Sequence, residues 1–135
     1  MSESKVQPVG AVTWRDLTVD DAARLRDFYQ SVVGWTAAPV EMDGYDDFNM
    51  LPPGTDDAAA GICHARGSNA ELPPQWLIYI TVEDVERSAE RCRELGGEVV
   101  VGPKPMGGGR FAVIRDPAGA VAALYQPPAA GVAPG

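Results

Sequence analysis

Histidine appears once in this 135-residue chain, at His64, and cysteine twice, at Cys63 and Cys92. A single imidazole excludes the two-histidine, one-carboxylate arrangement of non-haem iron oxygenases. Two thiols cannot build a disulfide framework, and nothing directs the chain out of the cell, so a reducing cytoplasm is the expected compartment. Basic residues are scarce, 11 against 19 acidic ones, and the net charge of −8 argues against a nucleic-acid partner, whose phosphates need basic surface. The same charge favours neutral or cationic small molecules, although most of it serves solubility. No apolar run approaches the roughly 20 residues of a membrane helix, and Met1 to Pro8 is polar with no signal-peptide core. Neither a membrane nor a nucleic acid is an expected partner.

What remains is ordinary for a soluble globular domain: 45% hydrophobic and 22% charged residues, enough for one core. The chain is organised by a repeat. Trp14-Arg15-Asp16-Leu17-Thr18-Val19-Asp20-Asp21, running on to Gly34, is restated as Leu77-Ile78-Tyr79-Ile80-Thr81-Val82-Glu83-Asp84, running on to Gly97. Thr18 matches Thr81, Val19 matches Val82, and the pair Asp20-Asp21 matches Glu83-Asp84. Arg24 matches Arg87, Gly34 matches Gly97, and Phe48 matches Phe111 at the same offset. Internal repetition of this kind sets the architecture before any residue is given a role.

Met1 to Gly10 reads as a disordered lead-in, and Ala11 to Val19 alternates with the period of a strand. Asp20 or Asp21 can cap the following helix, where Leu25, Phe28, Tyr29 and Val32 form one apolar face and Gly34 ends it. Trp35 to Val40, Tyr45 to Leu51 and Ala58 to Ala65 are three further strands, and Gly67 to Pro74 is a polar linker. The second module repeats the plan: a strand over Gln75 to Val82, a helix over Glu83 to Leu95, then strands over Glu98 to Gly102, Arg110 to Arg115 and Val121 to Tyr125. Pro103 to Gly109 is expected to be a loop, and Asp116-Pro117-Ala118-Gly119 a tight turn. Residues 128–135 are too poor in apolar bulk to fold alone and read as a disordered tail. The expected fold is α+β: two tandem βαβββ modules, residues 11–66 and 75–127, within a single domain of residues 11–127. An open sheet with one helix covers only one face, so each module should pair with another copy.

The Asp-capped helix, Phe28-Tyr29, Gly34-Trp35, Gly96-Gly97, Arg110-Phe111 and Asp116-Pro117-Ala118-Gly119 together resemble the vicinal oxygen chelate superfamily. That superfamily includes glyoxalase I, bleomycin- and fosfomycin-resistance proteins and extradiol dioxygenases. The resemblance runs from about Val12 to Pro127. It implies that the paired modules curl one mixed sheet into a cup with the helices outside, and that enzymes of the family hold a divalent metal at its base. Members of this length commonly pair modules across chains, which implies a homodimer. Carrying over the family's ligand positions gives Trp14 and Leu77 ahead of the two helices, with Gly61 (to within one residue) and Ala123 on the last strands. None of these side chains binds a metal, which needs His, Cys or carboxylate donors. No metal and no cofactor are therefore expected.

Alternation then assigns faces. If Trp14 faces the cup, so do Asp16 and Thr18, and by the repeat Leu77, Tyr79 and Thr81; on the last strand Val121, Ala123 and Tyr125 follow. Phe48 and Met50 share parity and either line the cup wall or pack in the core. Arg110 is the cation nearest to hand as a partner for Asp16. Large aromatics around a few polar groups describe a small-molecule pocket, so Trp14, Asp16, Phe48, Met50, Tyr79, Arg110 and Tyr125 are the candidate ligand-binding residues. Asp16 is also the candidate catalytic residue, a general base if its pKa is raised. Cys63 shares parity with Gly61 and is either a cavity thiol or a small buried hydrophobe. Its neighbour His64 must point the other way, as a surface or strand-edge side chain. Cys92 falls on the inner face of its helix. Met106-Gly107-Gly108-Gly109-Arg110 lacks the context of a phosphate loop and is either a lid or a hairpin connection.

The expected function is a metal-free binding protein of the glyoxalase and bleomycin-resistance type, holding an apolar or aromatic small molecule in an aromatic-lined cup. The alternatives are a diverged lyase, isomerase or dioxygenase-like enzyme, and a subunit whose cup only buries a dimer interface.

Overall fold

Each module begins with a strand whose alternation is broken by an aspartate, and the aspartate starts a helix. In order the elements are β1 (Val12–Val19), α1 (Ala22–Val33), β2 (Thr36–Glu41), β3 (Asp46–Leu51), β4 (Ala60–His64), β5 (Trp76–Thr81), α2 (Val85–Glu94), β6 (Glu98–Met106), β7 (Gly109–Arg115) and β8 (Val121–Gln126). A computed structural model describes residues 7–67 and 70–128. Most of the expected lead-in and tail, and two residues of the linker, lie outside the described residues. The fold is α+β, two βαβββ modules in tandem. No described helix is long and apolar enough to cross a membrane.

The chain divides into two units, Trp14–Leu77 and Met1–Thr13 with Ile78–Gly135. In the first, the strands run in the order β2-β3-β4-β1, and β1 pairs parallel with β4 while β2, β3 and β4 pair antiparallel. In the second the order is β5-β8-β7-β6, with β5 parallel to β8 and the rest antiparallel. The start of β1 belongs to this second unit, where Thr81 donates to the Ala11 carbonyl and Gly10 to that of Thr81.

Capping fixes both helices. The Asp21 carboxylate accepts from the Arg24 N–H at 3.1 Å, and Gly34 closes α1 at φ 91°, a left-handed conformation that costs a residue with a Cβ. Asp84 accepts from both Glu86 and Arg87, and α2 adds an acid in its first turn and two arginines in its last, the polarity its dipole favours.

Ala22 of α1 shares a core with Phe48, Met50 and Ile62 of the sheet, with Leu25, Tyr29, Trp35 and Trp76 packed against them. Tyr29, Trp35 and Trp76 meet pairwise at 5.3 to 6.0 Å between ring centres, and the Trp76 indole donates to the Tyr29 hydroxyl at 3.1 Å. Of the expected apolar face of α1, Leu25 and Tyr29 reach this core; Phe28 and Val32 stay 52% and 63% exposed at its flank. Val85 of α2 shares a core with Ala112 and Leu124, joined by Ile80, Val82 and Ile114. Cys92 is half-buried, its thiol 3.8 Å from the Glu98 carbonyl.

Three expectations are corrected here. Phe48 and Met50 do not line the face away from the helix. Phe48 stands opposite Ile62 and Met50 opposite Ala60, which turns both toward α1, with Met50 fully buried. The Phe48–Phe111 match also fails. Phe48 opposite Ile62 corresponds to Ala112 opposite Leu124, so Phe111 lies one residue out and faces the other side. With a side-chain period of two, one residue flips the face. Thirdly, Pro103 to Gly109 is no loop. β6 continues to Met106, which pairs with Gly109 across a two-residue turn of Gly107 and Gly108. Both glycines have positive φ, 54° and 90°, as the tight hairpin turn demands. Pro103 and Pro105 are tolerated because β6 is the last strand of its unit and carries register shifts. The segment is a hairpin and not a lid.

Asp84→Ala removes the acceptor for two N–H groups of α2 and is expected to lower stability by about 1 kcal/mol in urea unfolding. An unchanged midpoint would show that solvent caps this helix equally well.

Candidate functional site

In the first unit the helix-free face is set by the β1–β4 register. Asp16 lies opposite Gly61 and Thr18 opposite Cys63, so these four share the face with Trp14. Trp14 is half-buried and its indole Nε1–H donates to Asp16 Oδ2 at 3.2 Å. Asp16 is 7% exposed. Glycine at 61 leaves room for this arrangement: a Cβ there would stand 3.2 Å from the Trp14 ring and 3.3 Å from the Asp16 Cβ.

A second carboxylate joins them that the sequence reading missed. Asp47, 6% exposed, accepts from the His64 backbone N–H at 2.8 Å. Its signal was present in the alternation, since turning Phe48 toward α1 sends Asp47 to the opposite face. Burial first, then the Asp16 and Asp47 charges, then a hydrogen bond to Asp47 push the Cys63 thiol far up from its ordinary value of 9.0. Cys63 is accordingly a neutral, protonated thiol and no nucleophile at physiological pH. The His64 ring turns the other way, edge-on to Tyr45 at 5.5 Å and with Nδ1 3.4 Å from the Asp20 carbonyl oxygen.

In the second unit, Tyr79 stands opposite Ala123 and Phe111 opposite Tyr125, on the face away from α2. Tyr79 is 4% exposed and Tyr125 half-buried. The Lys104 ammonium sits 5.6 Å from the centre of the Phe111 ring. The Tyr125 ring crosses β7 at Gly109, where a Cβ would fall 2.6 Å from its hydroxyl. Arg110 is not on this face. It shares parity with Ala112 on the α2 side and forms an ion pair with Glu86 in the first turn of that helix. The expectation that Arg110 serves Asp16 is corrected on that ground: the cation already has a carboxylate on its own side of the strand.

The ligand positions that the resemblance implies do not suit a metal. The positions to which the resemblance assigns ligands hold an indole, an isobutyl, a hydrogen and a methyl: Trp14, Leu77, Gly61 and Ala123. None of these offers a donor atom. Among the described residues, no three or more His, Cys, Asp or Glu side chains gather as a metal-holding group. A cleft of about 400 Å³ opens at the β2–β3 hairpin between Pro39, Glu41, Gly44, Tyr45 and Asp46, and no candidate residue lines it.

The profile of the Glyoxalase/Bleomycin resistance protein/Dioxygenase superfamily matches residues 9–124. The chain belongs to that superfamily. CFP32 of Mycobacterium tuberculosis, named as a candidate glyoxylase, is 31% identical over 123 residues, which cover 90% of this chain and 46% of that protein. The anthracycline biosynthesis protein DnrV of Streptomyces peucetius is 32% identical over 129 residues, covering 87% and 47%. This superfamily member thus spans about half the length of the relatives it matches. A variant of the Streptomyces coelicolor methylmalonyl-CoA epimerase, solved with 2-nitronate-propionyl-CoA, superposes with a TM-score of 0.54 at 17% identity, over 93% of this chain and 98% of that one. Another methylmalonyl-CoA epimerase structure, with methylmalonyl-CoA and NH4+, gives 0.53 at 17% identity over 93% and 98%. At that identity they attest the fold alone.

The Cys63 environment yields a pH dependence. A folded-state pKa raised above the unfolded value means that the folded chain holds the proton more tightly. The stability present below the ordinary value of 9.0 is then lost as pH rises past it, by up to about 1.4 kcal/mol per pH unit. Urea unfolding between about pH 8 and pH 10 is expected to show this decline in the parent protein and a shallower one in Cys63→Ala. Parallel curves would mean that the thiol ionises as readily folded as unfolded.

Proposed function

We propose that this superfamily member is a metal-independent small-molecule-binding protein whose ligand is an apolar or aromatic compound held on the helix-free face of a module. The observation that carries the reading is the pairing of Trp14 with Asp16 over Gly61: an indole and a glycine stand at two of the positions where the resemblance assigns metal ligands, and the indole is held by a buried carboxylate. Tyr79 and Tyr125 in the second module add phenol rings on the corresponding face, opposite Ala123 and Phe111. Few polar groups among large rings suit orientation of an organic molecule better than polarisation of a bond. Asp16 orients, in this reading, by accepting from the indole N–H, and no nucleophile stands beside it, since Cys63 is held as the neutral thiol.

Small flat aromatic compounds test it. Protein stripped with chelator is expected to bind the dye proflavine with one-to-one stoichiometry in the absence of any divalent metal. Trp14→Ala is expected to weaken that binding about tenfold, the scale of one lost ring contact with a cation. Binding that appears only on adding zinc, nickel or manganese, or that ignores Trp14→Ala, would contradict the reading.

A further inference from the structure

We propose that Gly61 is the specificity-determining residue of the first module, admitting a flat aromatic cation by leaving the Trp14 indole room to lie across β4 beside Asp16. This rests on the binding reading above and narrows it to one ligand class and one position.

Gly61 is buried in β4, with β1 on one side and β3 on the other. Glycine is a poor choice for such a strand, because it has no side chain to pack and loses the most backbone freedom on folding. The backbone does not require it, since Gly61 is absent from the glycines with positive φ. What requires it is space. An added Cβ would meet Trp14 Cζ2 at 3.2 Å and the Asp16 Cβ at 3.3 Å, against the 3.5 to 4.0 Å at which carbon atoms pack comfortably. Alanine therefore presses on both neighbours, and a branched side chain, whose further atoms extend past Cβ, must displace the ring. Displacing it breaks the hydrogen bond from the indole to Asp16, which fixes the ring plane.

The ligand class follows from what the ring is set among. Asp16 and Asp47 are both buried on this face, and their charges both act on Cys63 between them. A face with two carboxylates repels anions and attracts cations, and an indole plane attracts them further through its π-electrons. A flat aromatic cation stacks on the ring and is drawn by the charge of the carboxylates. An anionic aromatic of the same shape does only the first.

The test uses Gly61→Val, in which a strand-favouring residue suits the backbone and the change in space is isolated. Proflavine serves as the cationic probe and 1-anthracenesulfonate as an anionic ring of similar size. In parallel, the indole N–H resonances of the three tryptophans are followed by NMR, with that of Trp14 assigned by its absence from Trp14→Phe. Proflavine affinity is expected to fall at least tenfold in Gly61→Val, with the Trp14 resonance shifted and those of Trp35 and Trp76 in place. The parent protein is expected to prefer proflavine over the sulfonate at least tenfold. Should Gly61→Val fail to fold, Gly61→Ala is expected to show the same Trp14 shift and a smaller loss. Equal proflavine affinity in parent and variant overturns the role of Gly61 while leaving the binding reading intact. An unmoved Trp14 resonance overturns it as well. Equal affinity for the two dyes overturns the ligand class, and no binding of either dye by the parent protein overturns the binding reading itself.

Discussion

The parallel pairing of the first and last strand in each module decides what the rest of the molecule can do. Asp16 opposite Gly61, and Tyr79 opposite Ala123, set the phase of every side chain on β1, β4, β5 and β8. Because alternation has a period of two, this phase sends Leu17, Val19 and Ile62 to the helix side and Trp14, Asp16 and Cys63 to the other. The helix then locks it: Ala22 and Met50 are wholly buried against Ile62, and a slip of one residue would place carboxylates under α1. The composition of the helix-free face is thus a consequence of packing on the opposite side.

Much of this was legible in the residues. Asp21 and Asp84 cap their helices and Gly34 ends α1 in the left-handed conformation, because helix ends have few chemical solutions. The repeat located β1, α1, β5 and α2, and alternation placed Cys63 and His64 on opposite faces. What could not be read were the places where the two modules differ in length. β6 extends through two prolines into a glycine hairpin, while β2 ends at Glu41 and a longer turn follows. Strand β7 is thereby displaced by one residue relative to β3, which broke the match of Phe48 to Phe111; the shared parity of Phe48 and Met50 left open which face they take, and with it the face of Asp47. Arg110 was misplaced for another reason: its partner Glu86 lies on a helix, and no strand period reveals which side a long, flexible cation takes.

Superfamily membership and the site chemistry answer different questions. The match over residues 9–124 establishes ancestry and fold, and a fold hosts many chemistries. The face residues speak to the chemistry. The first module's face carries an indole held by a carboxylate, a second buried carboxylate and a thiol whose pKa burial raises, and the second module's own face carries phenol rings. Gly61 joins the two levels, being the residue that the strand least favours and the indole most needs.

Metal content distinguishes this reading from an enzyme of the usual superfamily kind most directly. Protein purified without chelator or added metal, and assayed by elemental mass spectrometry, should carry zinc, nickel, manganese and iron far below one equivalent per chain. Any one of them near stoichiometry would contradict a metal-free face and require donors other than Trp14, Gly61, Leu77 and Ala123.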